Sequence, residues 1–188
     1  MEEKKKKGKR AYLEAFQKNA EGKYEYKGEF YCWQGTEQER RKKMRRLWVL
    51  CLVMLGAIGA AGSVEAPGTL NCAYVILPYV VEFVAGISVF WGLCRLSAGG
   101  DPLRVYVYQA SAEKIPERAV VTVIGAAAAL AGELIFLLQN GLDGKWAGLG
   151  VFLLLEGMVI FLTLELRRCI RKMEWSRKER NMESPKSL

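Results

Sequence analysis

Apolar positions along this chain gather into four long runs, residues 47–62, 70–94, 119–139 and 146–166, separated by polar stretches. A helix needs ~20 mostly apolar residues to cross a hydrocarbon core of ~30 Å. The pattern therefore predicts four transmembrane helices, paired as two hairpins by short connections at 63–69 and 140–145. The expected class is an all-α integral membrane protein with three parts. Residues 1–46 form a basic N-terminal segment, 47–166 the four-helix transmembrane domain and 167–188 a basic tail.

Charge turns these spans into a topology. Residues 1–46 carry 15 Lys/Arg against 8 Asp/Glu, and residues 167–188 carry 8 against 3. Their surpluses, +7 and +5, exceed the +8 of the whole chain, so the region between them is net acidic. The connection at 63–69 has no Lys or Arg and that at 140–145 only Lys145, whereas the middle loop has Arg104, Lys114 and Arg118. Basic residues are retained on the cytoplasmic side. Both termini and the middle loop are thus expected inside, N-in and C-in, in the cell membrane. The basic segments abut the spans, where each Lys or Arg near anionic headgroups gains roughly 1 kcal/mol. Anionic lipid is accordingly the expected partner of these segments, and nucleic acid is not. The first apolar run begins only at Leu47, well beyond the n-region of a signal peptide, so the first span is expected to be a retained anchor.

The flanking segments have patterns of their own. Residues 1–10 are a Lys-rich run expected to be disordered. Residues 11–20 read as a short helix with Tyr12, Leu13, Phe16 and Ala20 on one face. In residues 23–33 two aromatic runs flank Lys27-Gly28, which predicts a small hairpin. Its rings, Tyr24, Tyr26, Phe30, Tyr31 and Trp33, suit either a patch lying on headgroups or a docking surface for a cytoplasmic partner. Thr36 followed by Glu39 is a capping-box pattern that should start a helix running into the first span. In the middle loop Asp101 is expected to cap a short interfacial element containing Leu103, Val105, Tyr106 and Tyr108, with Pro116 breaking it.

Composition removes several chemistries. The chain has no histidine, so Ser-His-Asp triads, H-E-x-x-H zinc sites and His-ligated haem are excluded. The five cysteines include no C-x-x-C pair, and no G-x-x-x-x-G-K-[ST] loop occurs. No enzymatic activity, cofactor or metal is expected. The small-residue spacings Gly56/Ala60, Gly125/Ala129 and Ala128/Gly132 allow close helix approach. Packing within the bundle is the simpler use of them, and a homo-oligomer contact the alternative.

The strongest candidate chemistry is acidic. Glu82, Glu133 and Glu156 lie within the second, third and fourth runs, about 12, 7 and 10 residues from their outer ends. On the insertion scale three such groups cost on the order of 8–10 kcal/mol, so they should face the bundle interior. Helical spacing places Asn71, Pro78 and Glu82 on one stripe, Thr122, Glu133 and Asn140 on another, and Glu156 and Thr163 on a third. Pro78 leaves the Tyr74 carbonyl without its helical donor, one turn from Glu82. No Lys or Arg lies within the runs. The carboxyls must then be protonated, hydrogen-bonded to neighbours, or bound to a cation. The halves also match coarsely, with Arg46 and Glu82 36 residues apart and Arg118 and Glu156 38 apart, as in a parallel repeat about the membrane normal.

Two functions follow as expectations. The first is a non-enzymatic accessory, scaffold or immunity-type component that binds a partner through its cytoplasmic segments. The alternative is a small proton- or cation-coupled transporter or channel using Glu82, Glu133 and Glu156, with Pro78, Asn71, Thr122, Asn140 and Thr163 beside them. The layout invites comparison with small multidrug transporters, but those carry their essential glutamate in the first span, and residues 47–62 contain no acid. The topology is checked by labelling with a membrane-impermeant thiol reagent. Val64→Cys and Leu142→Cys are expected to react from outside the cell; reaction from the cytoplasmic side alone would reject it.

Overall fold

The computed structural model describes residues 16–18, 22–26, 28–69, 72–141 and 146–178. It is predominantly helical, and four of its helices are long and apolar enough to cross a membrane. In chain order the elements are β1 (Phe16–Lys18), β2 (Tyr24–Tyr26), β3 (Phe30–Trp33), α1 (Glu37–Ser63) and α2 (Ala73–Ala98). There follow β4 (Leu103–Arg104), α3 (Val105–Ala110), α4 (Ile115–Asn140), α5 (Trp146–Arg171) and β5 (Trp175–Lys178).

Two of the long helices, α1 and α4, start ahead of their apolar runs, because local signals set their ends. Thr36 Oγ1 accepts from the Glu39 amide (3.3 Å), while Glu39 Oε2 accepts from the Thr36 amide (3.2 Å). This reciprocal cap starts α1 in the charged stretch, ten residues ahead of Leu47. Pro116 sits in the first turn of α4 and so begins a helix rather than breaking one. Pro78 lies inside α2, which continues through it.

The four helices form a ring. α1 packs on α2 and α5, and α4 packs on the same two, which puts α2 and α5 at opposite corners. The inward stripe of α1 is Leu47, Cys51, Met54, Ile58 and Ala61, at helical spacing. α2 and α4 run antiparallel and close. A Cβ on Gly125 would stand 2.8 Å from Glu82 Cβ, one on Gly132 2.7 Å from the Tyr74 carbonyl oxygen, and one on Gly92 2.7 Å from Ile115 Cγ1. Gly125 and Gly132 thus serve packing within the bundle. Gly56 does not: it is exposed on α1 with nothing near it, as is Ala60. Outward faces are apolar, with Leu77, Val84 and Trp91 exposed along α2 at seven-residue intervals. The core is apolar with a few buried polar residues, and it is the apolar outer surface that departs from a water-soluble bundle.

The basic end carries β-structure that an all-α reading omits. β1 pairs antiparallel with β2, and β3 is the centre of a second sheet in the order β4-β3-β5. The helix expected over residues 11–20 is therefore not formed where the chain is described, since Phe16–Lys18 is a strand; the rest of that stretch, like residues 1–10, lies outside the described residues. Nor do the two aromatic runs pair with each other. Phe30 registers with Arg104 on one side and Lys178 on the other. With a partner on both edges, β3 satisfies more of its backbone groups than a two-stranded hairpin would. Asp101 does not cap α3, whose N-terminus lacks a side-chain bond. It accepts instead from the Trp33 amide (3.4 Å) and pairs with Arg40 (3.5 Å).

The glycine contacts have a direct test. Gly125→Ala is expected to lose about 1–3 kcal/mol through overpacking against α2, read as a lower unfolding midpoint in detergent. Gly56→Ala, made into open space, is expected to leave the midpoint unchanged; equal effects would contradict the packing described here.

Candidate functional site

Glu82, Glu133 and Glu156 are each 0% exposed, and so are Thr122 and Thr163. The sequence stripes therefore point inward, but they do not converge on one place. Glu82 on α2 and Glu156 on α5 belong to opposite corners of the ring, and their carboxyls are neighbours across its axis. Outside the pair itself, none of their four oxygens has a hydrogen-bond partner among the described residues. Gly125 of α4 lies directly against the Glu82 backbone and lets α4 approach α2 there. The Tyr79 phenol is close to both acids, yet its hydroxyl donates to the Ile58 carbonyl (2.7 Å).

Glu133 does a different job. It lies eight residues beyond Gly125 on α4, about 12 Å along the axis at ~1.5 Å per residue. Its Oε1 accepts from the Gly68 amide (3.0 Å), which fastens the 64–69 connection onto the bundle. A Cβ at position 68 would crowd Glu133 Oε2 (2.7 Å) and the Phe136 side chain (3.0 Å).

The accompanying polar residues are mostly occupied. Thr122 donates to the Arg118 carbonyl (3.2 Å) and Thr163 to the Val159 carbonyl (2.7 Å), one turn back in their own helices. Asn140 is exposed at the end of α4 and donates to the Phe136 carbonyl (3.2 Å). The Tyr74 carbonyl freed by Pro78 faces Gly132 rather than Glu82. Asn71 lies outside the described residues. The structure thus keeps Glu82 and Glu156 together and sets Glu133 and Asn140 apart.

The aromatic candidates are used inside the protein, with one exception. Tyr31 stacks on Tyr108 with ring centroids 3.9 Å apart, and Trp33 meets Trp175 edge-on at 5.8 Å. Tyr26 meets Phe30 at 5.2 Å and donates to the Glu29 carbonyl (3.2 Å). Burial pushes the ionisation of the Tyr26 phenol up. Tyr24 alone of the five is well exposed, at 71%. Cations surround these rings: Lys43 lies 4.7 Å from the Trp33 ring centroid and donates to the Lys172 carbonyl (3.2 Å), and Arg40 donates to the Gly100 carbonyl. Arg46 and Arg168 both pair with Glu165, at 3.5 and 2.6 Å. The N-terminal segment, middle loop and tail are in this way joined into one platform.

Sequence reasoning gave Gly125 a packing role but not its partner, Glu82, and it missed Gly68. A glycine in a short connection has no distinguishing local signal. Glu133→Ala, which leaves the buried Gly68 amide without its acceptor, is expected to lose about 1–3 kcal/mol in a detergent unfolding titration. Glu133→Gln retains an acceptor oxygen and should lose much less; the reverse order would refute the fastening role. The chain matches no family model, no curated protein and no solved structure.

Proposed function

We propose that this is a multi-pass membrane protein without enzymatic chemistry, its basic platform in the cytoplasm, whose Glu82–Glu156 pair binds a proton or a small monovalent cation. The observation that carries this reading is the meeting of two buried carboxyls across the bundle axis with no hydrogen-bond donor from any other described residue. Two like charges in a low-dielectric interior repel strongly, so the pair is stable only with a proton or a cation between or upon its members. Among the described residues no group of three His, Cys, Asp or Glu side chains assembles. A calcium-type ion takes 6–8 oxygen ligands, so two carboxyls favour a proton or monovalent ion over a divalent one.

The accessory or scaffold reading is supported by a different feature. Three segments distant in sequence are tied into one folded face, as a surface kept ready for a partner would require. Its aromatic rings are packed inward, however, and its exposed rim consists of cations such as Arg41, Lys42, Arg45 and Arg171. That rim suits anionic headgroups better than an apolar protein surface. The proton-binding reading is therefore placed first.

The test is flux in proteoliposomes loaded with a pH-sensitive dye, under an imposed proton gradient. The unsubstituted protein should exceed empty vesicles. Glu82→Gln and Glu156→Gln should each lower the rate at least about tenfold, the range associated with one proton-transferring group, while Glu133→Gln leaves it unchanged. No flux, or flux indifferent to both substitutions, would remove transport and leave the pair as an interhelical contact.

A further inference from the structure

At the basic end a cavity of about 500 Å³ opens between the start of α4, the end of α5 and the first residue of β5. It lies at the end of two spans, the level at which lipid headgroups sit. Its lining carries both signs of charge. Arg167 and Arg171 stand one turn apart on α5, facing Glu113 and Glu117, which stand four residues apart across the start of α4. No ion pair joins either arginine to either glutamate among the described residues; Glu117 pairs with Lys114 (2.8 Å) instead. Arg167 Nε is buried and has no hydrogen-bond partner. Tyr108 and Trp175 form a wall, and Val120 and Ile170 give an apolar floor toward the spans.

Opposite charges held apart across an open space are poorly satisfied by each other. A ligand with an anion and an ammonium at its two ends would satisfy both sets. The structure assigns this cavity as a headgroup site for a zwitterionic phospholipid with a primary ammonium. The phosphate lies toward Arg167 and Arg171, where a guanidinium fork suits phosphate oxygens, and the ammonium lies toward Glu113. Three features select this headgroup. A purely anionic headgroup would bring its charge against Glu113 and Glu117. A quaternary ammonium has no N–H to give those carboxylates. The apolar floor continues into the spans, where the first methylenes of the acyl chains would lie. The inference needs only the four spans and is independent of the proton-binding reading of Glu82 and Glu156.

The test uses the full-length protein, delipidated in detergent, with lipid retention read by native mass spectrometry and stabilisation by the unfolding midpoint. Phosphatidylethanolamine, phosphatidylcholine and phosphatidylglycerol are offered in turn. Phosphatidylethanolamine is expected to bind at least about tenfold more tightly than the other two, the size of one charge-assisted contact. Glu113→Gln should bring phosphatidylethanolamine and phosphatidylglycerol close to equal. Arg167→Gln should weaken binding of all three. Glu113 is exposed, so its substitution reports on the site even where Arg167→Gln fails to fold. Phosphatidylglycerol binding as well as phosphatidylethanolamine, or a preference unmoved by Glu113→Gln, would overturn the assignment. Saturation by soluble phosphoethanolamine as readily as by the lipid would overturn it too, and would point to a soluble ligand.

Discussion

Everything in this molecule follows from keeping polar groups out of hydrocarbon. A bilayer interior offers no water to an unpaired amide or carboxyl, so polar groups that must lie within it turn toward other helices. The chain meets that constraint with four helices whose outward faces are apolar and whose inward stripes hold Glu82, Thr122, Glu133, Glu156 and Thr163. Thr122 and Thr163 are satisfied within their own helices, and Glu133 has one oxygen on the Gly68 amide and the other without a partner among the described residues. Glu82 and Glu156 differ in that neither oxygen of either carboxyl has a donor outside the pair among the described residues. A bundle built only for stability has no physical need to place two carboxyls against each other.

The ring order gives that meeting a simple geometric origin. α1–α2 and α4–α5 are hairpins with the same sequence of features, and they stand so that α2 and α5 are diagonal. A two-fold axis along the bundle would relate them, and equivalent positions on diagonal helices meet on that axis. Glu82 and Glu156 occupy such positions, 36 and 38 residues after the arginines Arg46 and Arg118 that open their hairpins. Glu133 has no acidic counterpart in α1, whose residues at the corresponding level are Ala61 and Gly62. Its role in fastening one connection is accordingly specific to one half.

Much of this was legible in the sequence, for identifiable reasons. Span number and rough bounds follow from run length, the α1 start from Thr36 and Glu39, and the burial of the glutamates from the energy of exposing them. Which glutamates meet depends on ring order, and helical periodicity does not encode ring order. The small sheet was missed for a related reason. The partners of Phe30 are Arg104 and Lys178, far along the chain, so a reading of residues 23–33 could offer only a local hairpin, which does not form. The same remoteness hid the fate of the rings: Tyr31 and Trp33 read as surface aromatics until Tyr108 and Trp175 are placed beside them.

On the function proposed above, Glu82 and Glu156 form one proton- or cation-holding pair rather than two separate acids. Infrared spectroscopy of the protein in lipid reads the protonated carboxyl band directly, and comparison with Glu82→Gln and Glu156→Gln assigns it. The account expects a protonated carboxyl at neutral pH and a change in the band of the remaining acid when either partner is replaced. Two carboxylates fully ionised at neutral pH without added cation, or two bands each indifferent to the other's substitution, would contradict it.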